Sequence, residues 1–226
     1  MRYTGRTLVS PDGSVAFDWV GTYLETRFTG GKLSVKVSET GTSYYNVFVD
    51  GKLHKVVKVC GTDTLIHLVS GIDKRIHSLK IQKRSEGEFG KTTVHQFVLS
   101  GSGRLAEEPA VRTRHIEFIG NSLTCGYGTD GKHRDEPFLV ETENCNLTFA
   151  SMVARYYDAD YTLIAHSGRG AARNYGDSVR VSKVTMKDRM LNTFDEDLTH
   201  KWNFKEYRPD LVVINLGSND FSTEPH

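Results

Sequence analysis

Three short polar stretches in the second half of the chain hold the residue types that acyl transfer needs: Gly120-Asn121-Ser122, Ser167-Gly168-Arg169-Gly170 and Gly217-Ser218-Asn219-Asp220. Ester cleavage requires a nucleophile, a base to take its proton, and donors aimed at the oxygen that becomes negative. Ser122 offers the hydroxyl. Its own backbone N–H, the backbone N–H of Gly168 and the side-chain amide of Asn219 are candidate donors to the oxyanion. Glycine at 168 lets the main chain approach a substrate with no Cβ in the way. Asparagine brings a neutral N–H, which costs less to bury than a charge. Taken singly, each stretch is as readily an ordinary loop at the end of a strand. The chemistry depends on the three meeting.

The elements that must bring them together are three apolar runs, 115–119, 161–166 and 209–216, each ending in one of these loops. A helix is expected over 147–157 with Asn146 as its N-cap, and further helical material over 187–204. Strands alternating with helices imply a parallel sheet, and ligands of such sheets bind beyond the carboxyl ends of the strands. If the three strands are parallel, their loops converge on one edge. Asp220 is expected to brace the third loop, as a strand-end aspartate caps a turn.

The first half reads differently. Runs at 14–19, 22–28, 32–38, 44–49, 53–59, 63–69, 75–84 and 92–99 are rich in β-branched and aromatic residues and separated by glycines. Asp50-Gly51 between two of them signals a type I′ hairpin. Residues 32–38 alternate apolar and polar, as in a half-solvated antiparallel sheet. Short strands at this spacing predict an all-β jelly-roll sandwich. His54, His67, His77 and His95 have no ligand spacing and read as strand positions. Tyr44 and Tyr45 could stack on a sugar, but packing is the default for strand tyrosines. Glycine, proline and charge over 101–114 mark a boundary. Residues 1–108 are thus expected to form the β domain, and 109–226 to begin an α/β domain.

Composition narrows the function. The 226 residues are 38% hydrophobic and 25% charged with a net charge of +1, so there is no electrostatic footprint for nucleic acid or an anionic membrane surface. No apolar run reaches the roughly 20 residues of a membrane span. The first residues lack the apolar core of a signal peptide. Cys60, Cys125 and Cys145 make no CxxC pair; buried free thiols are expected, with a Cys125–Cys145 bridge as the alternative, and the redox compartment stays open. No histidine–carboxylate cluster has zinc spacing, so neither metal nor cofactor is expected. Gly168-Arg169-Gly170 fails as a phosphate loop, because Arg173 stands where GxGxxG needs glycine.

The three loops resemble the blocks of the SGNH (GDSL-like) hydrolase superfamily, and residues 119–128 and 167–176 look like carbohydrate esterase family 2 of the acetyl xylan esterase type. Nearly the whole chain takes part, including the order of β domain then α/β domain. The resemblance implies a jelly roll followed by a flavodoxin-like sheet, a Ser122 nucleophile, oxyanion donors at Ser122, Gly168 and Asn219, and removal of acetyl groups from xylan- or glucomannan-type polysaccharides. It implies no cofactor, a secreted or periplasmic location, and an acetylated polysaccharide or oligosaccharide as partner. Two departures stand out. Asn121 replaces the aspartate of the superfamily name, a tolerated change at a position that is not the catalytic acid. The family's catalytic histidine belongs to a fourth block well past the third, whereas this sequence ends at His226. The base is therefore expected outside 1–226, on a remaining C-terminal segment, and this chain alone is expected to lack full turnover. His115, His133, His166, His200 and His226 are the internal alternatives. Tyr127, Arg169, Tyr175 and Trp202 are candidate sugar contacts, with Arg173 beside them. The competing reading is a non-catalytic carbohydrate-binding protein, or an inactive esterase fragment.

Overall fold

The structure, a computed structural model, describes residues 1–101 and 103–222. In the first half, β1 (Arg2–Thr4), β2 (Leu8–Val9), β3 (Val15–Phe17), β4 (Tyr23–Val49), β5 (Lys52–Lys83), β6 (Thr92–Ser100) and β7 (Arg104–Leu105) form a single seven-stranded antiparallel sheet. Six of the runs expected as separate strands, from 22–28 to 75–84, are joined into the two long ribbons β4 and β5, which bend instead of breaking. Register shifts mark the bends, at Thr29/Gly31 and again at Glu39/Thr42. Pairing shows how the ribbon curls: Leu24 faces Ile81 and Val47 faces both Ile81 and Lys55, while Leu33 faces Val69 and, on its other side, Leu99. The curled halves enclose one core that includes Phe17, Leu24, Phe28, Leu33, Val47 and Leu68. The expected hairpin is present, with Asp50 and Gly51 at φ 50° and 75° and Val49 opposite Lys52. Both positive angles are those a type I′ turn requires.

The second half contains β8 (His115–Gly120), α1 (Ser122–Cys125), α2 (Phe149–Tyr156), β9 (Asp160–Ala165), α3 (Met186–Arg189) and β10 (Leu211–Ile214). The three strands are parallel, in the order β10-β8-β9. The chain leaves β8 to one side and returns on the other. That reversal opens a crevice at the carboxyl end of β8, where α/β sheets bind ligands. Helix α2 begins after Thr148, not Asn146, because Cys145–Leu147 form a separate 3-10 turn. The helical expectation for 187–204 holds only over α3; turns and an Asn192–Lys201 bridge take the rest. β10, the most apolar run, lies at an edge of the sheet and leaves Leu211 52% and Ile214 66% exposed.

The segment 18–23 of the first domain plugs into this sheet on both faces. Val20 and Tyr23 join Ile116, Phe118 and Leu163 on one side, and Trp19 joins Ile119, Ile164 and Met186 on the other. The split follows strand alternation: Phe118 and Ile119 point to opposite faces. Polar contacts flank the plug. The Tyr23 hydroxyl donates to Asp160 at 2.7 Å, and the Gln82 amide to the Tyr161 hydroxyl at 2.6 Å. Asp160 also accepts from Arg112 and Arg2. Gly21 makes the close approach possible: its φ is +75°, and a Cβ there would sit 2.6 Å from Leu163 Cδ1.

Two substitutions test this junction. Leu163→Ala empties a buried site and is expected to cost about 2–5 kcal/mol. Gly21→Ala adds a clash to a left-handed backbone, costing at least about 1 kcal/mol. Because the added methyl would occupy the space Leu163 vacates, urea unfolding of the double variant should show a loss smaller than the sum; strict additivity would mean that the two residues do not share that space.

Candidate active site

Ser122 opens α1 directly after β8. The tight geometry is set by its neighbours: Asn121 caps the turn, its side-chain oxygen accepting from the Leu123 N–H at 3.2 Å, and Gly126 ends it at a left-handed φ of 86°. The Ser122 carbonyl accepts from the backbone N–H groups of Gly126 and Tyr127. The Ser122 side chain is left partly accessible at the edge of the sheet.

Hydrogen bonds tie the other two loops to it. The Asn121 amide donates to the Ser218 hydroxyl at 2.9 Å, linking the first loop to the third. An asparagine here both donates to Ser218 and accepts from Leu123, which gives the departure at 121 a local role. The Asn219 amide donates to the Arg169 carbonyl at 2.8 Å, linking third to second and committing one of its two N–H groups. Asp220 accepts from the backbone N–H groups of Ala171, Ala172 and Arg173 at 2.9, 2.6 and 3.0 Å. Burial raises the Asp220 pKa, but these three donors outweigh it and hold the carboxyl below its usual range. Gly170 leaves room for this brace, since a Cβ there would lie 1.9 Å from the Arg173 carbonyl oxygen and 2.5 Å from Asp220 Oδ2. The expected convergence of the three loops on one edge of the sheet is therefore what the fold produces. Gly168 has a φ of +73° and is partly accessible, and Asn219 is 8% exposed.

No histidine nitrogen is hydrogen-bonded to the Ser122 hydroxyl among the described residues. His166, the nearest in sequence to the second loop, is buried and gives Nδ1 to Asp195 at 2.7 Å, with Nε2 3.8 Å from Glu88. Burial alone lowers its pKa; Asp195, and Glu86 beyond it, more than offset this, so it stands above the ordinary histidine value. Arg189 donates to the other oxygen of Asp195 at 2.8 Å, so the three form one buried network. His115 stacks on Tyr207 and bonds Thr162, at the start of β8 away from Ser122. His200 packs edge-on against Phe194. His226 lies outside the described residues.

Sequence spacing shows no metal-ligand cluster, yet among the described residues the fold assembles two groups with ligand atoms within 4.8 Å of one another: Glu86, Cys125 and Glu143, and His166, Asp195 and Glu196. Either offers a mixed donor set for a divalent cation. Protein partners already occupy much of both. In the first, burial and the neighbouring Glu86 push the Glu143 carboxyl far above the usual carboxylate range, so it keeps its proton. All three cysteines are free thiols; Cys125 and Cys145 are buried as expected, whereas Cys60 is exposed.

The candidate sugar contacts divide. Tyr127 is half exposed and stacks on Phe138 at 3.7 Å between ring centroids, with planes 10° apart, forming an aromatic wall five residues after Ser122. Tyr175 is exposed, and its backbone N–H donates to the Gly168 carbonyl at 2.8 Å. Arg169 lies in the second loop. Trp202 is elsewhere: its ring packs on Tyr207, which itself stacks on His115 at the start of β8, and the Arg6 guanidinium sits 5.4 Å from its centroid. A residue from the long excursion before β10 returns along the sheet and not over its loop edge. Arg173 is committed to the third loop, donating to the Asp220 carbonyl at 2.6 Å. Sequence reasoning missed Glu86 and Asp195, which stand in charged, loop-like stretches that read as solvated surface.

Comparison with known proteins shows the family. Residues 3–109 match the family described as carbohydrate esterase 2 N-terminal, and residues 116–225 the GDSL-like lipase/acylhydrolase family. The cellulase/esterase CelE of Acetivibrio thermocellus is 35% identical over 221 residues, which are 98% of this chain and 26% of CelE. An acetylxylan esterase / glucomannan deacetylase of Cellvibrio japonicus is 33% identical, aligning 97% of this chain with 61% of that protein. A family two carbohydrate esterase from Clostridium thermocellum, solved in complex with cellohexaose, superposes with a TM-score of 0.92 at 35% identity, covering 99% of this chain and 67% of that one. The chain thus spans about a quarter to three fifths of the length of these two curated relatives.

The buried Glu143 generates a pH prediction. Native Glu143 holds a proton that the unfolded chain releases above its ordinary value of 4.5, so the unfolded state binds fewer protons and this group's contribution to stability falls as pH rises. Glu143→Gln stays neutral at every pH. The melting temperature of the wild type relative to Glu143→Gln is expected to decline steadily from pH 4.5 toward pH 8 in calorimetry; a pH-independent difference would mean that Glu143 is ionised in the fold.

Proposed function

Because this chain belongs to carbohydrate esterase family 2, we propose that it is part of a serine esterase that removes O-acetyl groups from plant polysaccharides of the xylan or glucomannan type. The observation that carries the reading is the hydrogen-bonded closure of three loops around Ser122: Asn121 to Ser218, Asn219 to Arg169, and Asp220 to residues 171–173. In this reading the Ser122 oxygen attacks the acetyl carbonyl carbon and its proton passes to a base. The carbonyl oxygen becomes an oxyanion held by the N–H groups of Ser122 and Gly168 and by the Asn219 amide. Collapse breaks the bond to the sugar oxygen, which takes the proton back, and leaves an acetyl-enzyme. Water, deprotonated by the same base, then releases acetate.

The base comes from a segment outside 1–226. Two observations support this: His166 has its ring committed to Asp195, and the exposed apolar edge of β10 is suited to a further strand. Tyr127 and Tyr175 then flank the acetylated sugar, with Arg169 hydrogen-bonding its hydroxyls. The complex of a relative with cellohexaose supports a carbohydrate ligand. We further propose that the β domain is a jelly roll and that the protein acts outside the cytoplasm, where its substrate is found.

Hydrolysis of 4-nitrophenyl acetate and acetate release from acetylated xylan test the reading. In the longest protein carrying this sequence, Ser122→Ala should reduce turnover to background, and Asn219→Ala should lower kcat by about 10²–10³. Sugar binding without Ser122-dependent turnover would favour a binding protein. Full activity in residues 1–226 alone would overturn the assignment of the base.

A further inference from the structure

The turn Ser85-Glu86-Gly87-Glu88 belongs to the N-terminal domain, yet it reaches the loops around Ser122. Glu86 is fully buried. One of its carboxylate oxygens accepts from the Ser167 backbone N–H and the other from the Ser167 hydroxyl. Ser167 immediately precedes Gly168. On the other side of the site, the Cys125 thiol, at the far end of α1 from Ser122, lies within 4.8 Å of the carboxylate. One side chain of the β domain therefore grips the loop of the oxyanion donor and lies beside the turn of the nucleophile.

The turn that carries Glu86 is itself held. The buried Lys83 ammonium donates to the carbonyls of Ser85 and Glu86, both at 3.1 Å, and to the Ser43 hydroxyl at 2.9 Å. The Glu86 backbone N–H donates to Glu143 at 2.8 Å. A Cβ at Gly87 would lie 2.8 Å from Asp195 Cβ, so the turn fits only with glycine there. Hydrogen bonds to a carboxylate are roughly twice as strong as neutral ones, and a two-point grip fixes direction as well as distance. Gripping the N–H and the hydroxyl of Ser167 fixes that residue's orientation, and with it the peptide unit whose N–H belongs to Gly168.

We infer that Glu86 is a positioning residue for acyl transfer: through Ser167 it aims the Gly168 N–H at the oxyanion, which makes the β domain part of the catalytic apparatus. The inference rests on the roles proposed for Ser122 and Gly168. It is tested with Glu86→Ala and Glu86→Gln in the longest protein carrying this sequence, assayed with 4-nitrophenyl acetate and with active sites counted by the acetyl-enzyme burst. A misplacement of about 1 Å costs on the order of 10²-fold, so kcat per titrated site should fall by about that factor in Glu86→Ala. KM should stay within about twofold, the split expected of an interaction made in the transition state. Glu86→Gln keeps one acceptor for Ser167 and should recover part of the loss. Amide hydrogen exchange at Ser167 should quicken in Glu86→Ala while β8 and β9 keep their protection. An unchanged kcat per titrated site overturns the inference, as does a fall fully explained by fewer active sites. Absence of Ser122-dependent hydrolysis in the wild type would instead defeat the proposed function; unchanged exchange at Ser167 would then still overturn the role of Glu86.

Discussion

The structure depends on the burial of Trp19, Val20 and Tyr23 against a parallel sheet that has three strands among the described residues. Such a sheet is apolar on both faces and needs cover on both. Helix α2 covers part of one face through Ala150 and Ala154, and α3 part of the other through Met186. The β domain supplies the rest with a segment that straddles the sheet. Each such side chain contributes about 1.5–3 kcal/mol by leaving water. Without the β domain, Ile116, Phe118, Ile119 and Leu163 would lose part of their packing, and the strand ends that carry Ser122 and Gly168 would lose their fixed relation.

Around this apolar plug the junction is charged, which shapes the site. Asp18 accepts from the backbone N–H groups of Asp195 and Glu196, Asp195 holds His166, and Glu86 holds Ser167. Burial, then the nearby Asp195, push the Asp18 pKa up to about 7. Ionised groups in such surroundings are tolerable only when donors or cations satisfy them. Arg189 does so for Asp195, and the N–H and hydroxyl of Ser167 do so for Glu86. The same requirement makes the network rigid, because each member is the partner that another needs. Loops that would move freely on an isolated α/β domain are instead anchored from across the junction.

Much was legible in the chain. The three strand ends, the Asp50-Gly51 hairpin, the antiparallel first half and the parallel second half follow from local patterns of period and turn chemistry. The departures have physical reasons. Runs read as separate strands join into β4 and β5, because a glycine can bend a ribbon as readily as end it. Asn146 lost the cap to Thr148 when a 3-10 turn intervened. The 187–204 stretch, helical by composition, is held by side chains such as Asn192 and Arg189 bonding to nearby carbonyls, an alternative to the helical ladder. Trp202 looked like a sugar contact by residue type, but its position along the sheet is set by where the chain re-enters β10.

Residues 120–122, 168 and 217–220 could be singled out as the proposed nucleophile and donors because three strand ends of this kind occur in order. Glu86, His166 with Asp195, and the proton on Glu143 could not be read that way. Their character comes from neighbours 29 to 81 residues distant in the chain, and a carboxyl in a charged turn reads as solvated until the fold removes its water. Local pattern determined which atoms could react. Burial across the domain junction, a property of tertiary packing alone, decided that Glu143 keeps its proton and what holds the reactive loops in place.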